Sequence, residues 1–223
     1  WALHRAVAER SPMFGAWAGI FIWLQILSSV YYGIFLAIAV AVFAPSIILP
    51  RVTAFASAES RRDTVRMLSG LAIGAVLVVV LTWPYAQPYL GNATAVGERD
   101  TFDVAQFSAA PVHYLTAVDV NRLWGWTAPR EGSEELLLFP GLVALVLAAL
   151  ALAWRPRRNV WPYVAITLVA VELSFGLNGT AYAWLYDHAR VLHGLRAPAR
   201  FAIVVQCGIA MLGAWGVRVL QER

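Results

Sequence analysis

Apolar positions in this chain are gathered into long runs separated by short polar stretches, and that pattern decides the architecture before any other property. No charge occurs between Met13 and Leu49. As one helix this run would extend about 55 Å at 1.5 Å per residue, far beyond the roughly 30 Å hydrocarbon core of a bilayer. It must therefore fold back. Ser28-Ser29-Val30-Tyr31-Tyr32-Gly33 offers small hydroxyls, interfacial tyrosines and a glycine for the reversal. This predicts a first span over 14–27 and a second over 32–49. A third run covers 67–83 and is expected to stop at Pro84, where Trp83, Tyr85 and Tyr89 form an interfacial cluster. Three more follow over 136–154, 160–177 and 201–220. The fold class is an all-α polytopic bundle of about six spans, read as a single transmembrane domain over 1–223 with one large extracytoplasmic loop.

The polar stretches 87–135 and 178–200 are the long connections. Within the first, Val112, Leu115, Val118 and Leu123 have helical spacing, which predicts a short helix lying on the membrane.

Composition sharpens the picture. Residues are 60% apolar and only 13% charged, with a mean hydropathy of +0.65, too little polar surface to cover a globule in water. The bilayer is the expected partner. All 17 basic residues are Arg, and the formal charge is +4. No long basic run exists, so nucleic acid is discounted. Six alternating spans put both ends and the segments 51–66 and 155–159 on one side, with 11 Arg against 4 acidic residues. The loops 87–135 and 178–200 carry 6 Arg against 8 acidic residues on the other. The Arg-rich side is expected to be cytoplasmic, with the protein in the cytoplasmic (inner) membrane. Cys207, the single cysteine, lies in an apolar run and excludes an internal disulfide. The chain opens on Trp1 without Met or a signal-like segment, and it is expected to be part of a longer protein.

Candidate chemistry sits in the two outer loops, because charge in or beside a bilayer is kept only where it is solvated, paired or used. Tyr114 and Arg122 stand in the large loop. Arg190, His193, Arg196 and Arg200 fall just ahead of the last span, where guanidinium groups can clamp phosphate oxygens in pairs. His188 and His193 are five residues apart, which does not match a helical zinc pair. No metal ligand set is assigned and no cofactor is evident, with a divalent cation left open. Glu172 is the acidic residue well inside an apolar run, and Gln25 is a polar group in the first span. An intramembrane carboxylate reads either as a functional group or as a lock between helices; Gln25 reads as helix-to-helix glue.

Three segments carry a resemblance when taken together: Leu27-Ser28-Ser29-Val30-Tyr31-Tyr32-Gly33, Leu138-Phe139-Pro140-Gly141-Leu142, and Gly194-Leu195-Arg196-Ala197-Pro198-Ala199-Arg200-Phe201. They resemble bacterial polytopic proteins of the GT-C superfamily of glycosyltransferases. The resemblance implies transfer of a sugar from a polyprenyl-phosphate donor on the outer face of the membrane, by inverting displacement, with an acidic general base in the first large outer loop. The first outer connection here, 28–33, holds no carboxylate, so by the resemblance either the catalytic loop lies upstream of Trp1, making this chain a C-terminal portion, or this member of the family is not an enzyme. No catalytic residue is assigned. Arg196 and Arg200 are carried as contacts for the lipid phosphate. The rival readings are a transporter or flippase working through Glu172, and a non-catalytic membrane subunit.

Overall fold

A computed structural model describes residues 1–52, 58–96, 101–130, 132–154 and 158–222, and every regular element among them is a helix. Three helical stretches are long and apolar enough to cross a membrane: Val30–Pro50, Arg61–Pro88 and Pro198–Gln221. Shorter apolar helices cover Pro12–Ser28, Leu142–Ala153 and Trp161–Ser174. The chain divides into two compact units, Trp1–Gly97 and Glu98–Arg223.

The first unit holds α1 (Ala2–Glu9), α2 (Pro12–Ser28), α3 (Val30–Val52) and α4 (Ala58–Val96). Helix α1 buries Ala2, Ala6 and Val7 and ends at Arg10, whose left-handed backbone (φ 50) turns the chain into α2. From that corner the Arg10 guanidinium donates to Asp63 Oδ2 at 3.1 Å, tying the entry of α2 to the start of α4. The predicted reversal is present but tighter than expected, since Ser29 alone is extended between α2 and α3. A Cβ on Gly33 would press into Ile26 across that turn.

Helix α4 does not stop at Pro84 as predicted; it continues through Pro84 and Pro88. A proline deletes one backbone donor, whereas ending a helix inside an apolar layer would expose several polar groups, so continuation is the smaller loss. Helices α2 and α4 run in the same direction in close contact. Gly15 lies against Gly70 and Gly19 against Gly74, and a Cβ at any of the four would overlap backbone of the facing helix. Two glycines four apart on each helix make one smooth face, which lets the backbones approach. Gln25 is half-buried on α2.

The second unit holds α5 (Thr101–Gln106), α6 (Leu142–Ala153), α7 (Trp161–Ser174), α8 (Thr180–His188) and α9 (Ala202–Gln221). Helix α9 is its axis. Gly208 meets Thr167 and Tyr163 of α7, while Gly213 and Gly216 meet Ala144 and Leu147 of α6. These contacts make α6 parallel and α7 antiparallel to α9. Ala148, Ala170, Val205, Ile209 and Leu212 fill the core between them. A second cluster, Ala109, Leu138, Ala199 and Ala202, closes the other end.

Helix α6 is shorter than the predicted 136–154. The residue before a proline is pushed out of the helical region, and Gly141 sits at φ 92, so the helix starts only at Leu142. Helix α7 likewise stops at Ser174, short of Leu177, and passes into a 3-10 turn through Gly176 at φ 54. The predicted surface helix over 112–124 is instead two 3-10 turns, Pro111–Leu115 and Gly125–Thr127, joined by irregular chain. Gly125 packs against the Asp119 carbonyl, an approach no side chain would permit in a continuous helix. Helix α8, inside the predicted connection 178–200, was not anticipated.

Candidate functional site: an apolar groove beside the large loop

Residues 137–141 form an irregular strip beside α9, from the 3-10 turn Glu134–Leu136, whose Glu135 pairs with Arg200, down to the start of α6. Part of the large loop is hydrogen-bonded onto this strip: the Leu138 N–H donates to the His113 carbonyl (3.1 Å) and the Phe139 N–H to the Thr116 carbonyl (3.0 Å). The loop tip is braced by its own side chains. Asn121 Oδ1 accepts from the N–H groups of Leu123 and Trp124, and Thr127 Oγ1 accepts from the Ala117 N–H. The Trp124 ring lies 5.5 Å from that of Phe139.

This bracing leaves a groove of about 750 Å³ between the loop, α6 and α9. Leu123, Trp124 and Phe139 form its wall on the loop side, with Leu147, Gly213 and Val217 on the helices. Its surface is almost wholly apolar, with Asn121 at the loop end. A volume of this size accepts a small molecule or a length of hydrocarbon chain. In the sequence reading Trp124 stands among the outer-loop residues and Phe139 within the segment 138–142, but the groove they line does not enter it. The break at Pro140-Gly141 within an apolar run was the available signal, since it detaches the chain from α9 just where the groove opens.

The predicted site residues are distributed around the unit and are mostly engaged. Arg200 makes a two-point pair with Glu135, Nη2 to Oε1 at 2.6 Å and Nε to Oε2 at 3.1 Å. The Arg196 guanidinium lies 4.5 Å from the centre of the Phe107 ring. His193 donates from Nε2 to the Tyr186 carbonyl at 2.7 Å and its ring packs on that of Tyr186. His188 similarly donates from Nδ1 to the Trp184 carbonyl. Arg190 begins a short 3-10 helix, but its side chain lies outside the described residues. Arg122 is exposed, stands in sequence between the groove-lining Asn121 and Leu123, and holds no partner among the described residues.

Tyr114 and Ser174 share a hydrogen bond of 2.8 Å. The Ser174 proton goes to the Val171 carbonyl at 2.6 Å, so the Tyr114 hydroxyl is the donor between them. Next to it, His113 Nδ1 accepts the Ala110 N–H at 2.8 Å, which places the proton of the neutral ring on Nε2.

Glu172 is occupied by a neighbouring helix. Its Oε1 accepts from the Thr180 N–H (2.8 Å), the Thr180 hydroxyl (3.0 Å) and the Ala181 N–H (3.0 Å). These are unpaired donors of the first turn of α8, and a carboxylate facing a helix N-terminus is favoured by its dipole as well. Glu172 thus caps α8 from α7. Among the described residues no three His, Cys, Asp or Glu side chains come together in a metal-binding group. Comparison with protein families, with curated proteins and with solved structures finds no match to this chain.

Proposed function

We propose that this chain is part of a membrane glycosyltransferase that resembles the GT-C superfamily and draws its sugar from a polyprenyl-phosphate donor at the outer face of the cytoplasmic membrane. The observation that carries the reading is the apolar groove between the large loop, α6 and α9, with an exposed guanidinium, Arg122, beside its wall. An isoprenoid chain is apolar and flexible, and the groove gives it a lining of small residues and aromatic rings. The phosphate of such a donor is a diester with one negative charge, which grows as the lipid phosphate departs, and it calls for an uncompensated cation. Arg200 has spent its fork on Glu135, so Arg122 is the better placed of the predicted cations. A carboxylate held by three donors is a poor proton or ion shuttle, which favours this reading over a transporter working through Glu172.

The test is sugar transfer from a radiolabelled polyprenyl-phosphate donor by the intact protein in liposomes. Ala214→Trp fills the groove from an exposed position on α9 and is expected to remove most turnover. Arg122→Ala is expected to raise the donor KM about tenfold, the loss of one charge-assisted contact. Wild-type turnover in both variants would sink the assignment of the groove to the donor.

A further inference from the structure

The large loop carries a second property, independent of what the groove binds. Arg200 and Arg218 mark the two ends of α9, and 18 residues of helix separate them by about 27 Å, close to the thickness of a hydrocarbon core. Helix α6, with 12 residues, covers only about 18 Å of that depth. It lies beside the Arg218 half of α9, because Ala144 and Leu147 face Gly213 and Gly216. The other half is flanked by the irregular strip 137–141, and the large loop is hydrogen-bonded to that strip through His113 and Thr116. The loop therefore lies between the levels of the two arginines, at a depth where a soluble loop would not be.

Its side chains fit that depth. Val120, Leu123 and Trp126 are 82%, 77% and 78% exposed, and Val112 and Leu115 are also open. So many uncovered apolar groups on one short loop have no counterpart in a solvated connection. Its backbone fits as well. Irregular chain at membrane depth is tolerated only where its polar groups are satisfied from within the protein. Here side chains supply acceptors for the Ala110, Ala117, Val120, Leu123 and Trp124 amides: His113, Thr127, Asp119 and, for the last two, Asn121. The Trp126 indole N–H is turned back onto the Leu123 carbonyl at 3.0 Å. Asp119 uses its carboxylate in this bracing, and the stem of Arg122 is long enough for its charge to reach the headgroups.

We propose that residues 112–126 are immersed in the bilayer leaflet on the Arg200 side, with Val120, Leu123 and Trp126 among the acyl chains, completing the span that α6 is too short to make. The occupant of this face is bilayer lipid itself. The test uses the full chain in phosphatidylcholine and phosphatidylglycerol nanodiscs, in a Cys207→Ser background. Nitroxide labels are placed singly at Val120, Leu123 and Trp126, with references at Val79 on α4 and at Glu134. Collision rates with oxygen and with an aqueous nickel chelate are measured for each. The expected result is a shift of all three loop labels to the high-oxygen, low-nickel range of Val79. Nickel accessibility equal to that of Glu134 would overturn the proposal. Where labelling prevents folding, the wild-type chain is photolysed in nanodiscs containing acyl-chain diazirine lipid. Adducts within 112–126 support immersion; adducts confined to the long helices overturn it.

Discussion

The first unit is held along a stripe where two helix backbones touch, and the second adds to its glycine contacts a set of side chains that reach for backbones. In the first, α2 and α4 meet at Gly15, Gly19, Gly70 and Gly74, where nothing but hydrogen stands between the two chains. Each long helix satisfies its own polar groups, and dispersion across a smooth contact does the rest. In the second unit three shorter helices cannot fill the layer, and irregular segments converge on one knot. Ser108 receives the Leu177 N–H and gives its proton to Val104; Asn178 donates to the Ser108 and Ala109 carbonyls; Ala199 donates to Phe107. The contrast shows two solutions to one constraint, that no backbone group be left dry. A long regular helix meets it alone and is free to specialise its surface. A broken segment needs specific polar side chains, and it gains a shaped groove in return.

The contrast can be broken most strongly at the glycines. Gly19→Leu forces α2 from α4 and is expected to cost about 3 kcal/mol or more, read as a fall in thermal midpoint in detergent. Gly91→Ala, on the same α4 but with nothing near its Cβ, is expected to leave the midpoint unchanged. One substitution made in both units sharpens the difference. Ser108→Ala leaves the Leu177 amide without its acceptor and is expected to cost about 2 kcal/mol by the same assay. Ser69→Ala in α4 removes only an exposed hydroxyl turned onto the Arg66 carbonyl, and no measurable change is expected. Smaller again is Glu172→Gln, which keeps an acceptor but removes the charge at the head of α8. A loss of about 1 kcal/mol is expected, seen as faster amide exchange at Thr180 and Ala181.

What could be read beforehand follows the same division. Long apolar runs carry a strong local signal, and the hairpin at Ser29 and the last helix, Ala202–Gln221, emerge close to where hydropathy places them. Pro84 misled because proline's local penalty is judged against water, while an apolar layer raises the penalty for stopping. The Gly15/Gly19 and Gly70/Gly74 spacings were visible in the sequence, but which pair faces which is a tertiary fact. The groove was hidden for a different reason: Trp124, Phe139 and Gly213 are distant in sequence and are joined only by the path of 135–142 along α9. Glu172 was conspicuous as an intramembrane acid, yet its partners are amides of a helix that the polar composition of 178–200 concealed.

The glycines of α9 also have a mechanical consequence. Gly208 is a notch for α7, and Gly216, eight residues on, is a notch for α6. A helix keyed on two sides cannot rotate by one residue, about 100°, without driving a side chain into Thr167 of α7 at one place and into the Leu147 backbone of α6 at the other. Nor can it slide by a turn, for the same reason. Helices α6, α7 and α9 therefore move as one block, and any opening of the groove must come from the loop side, through the Asn121 to Trp124 tip, against a fixed wall.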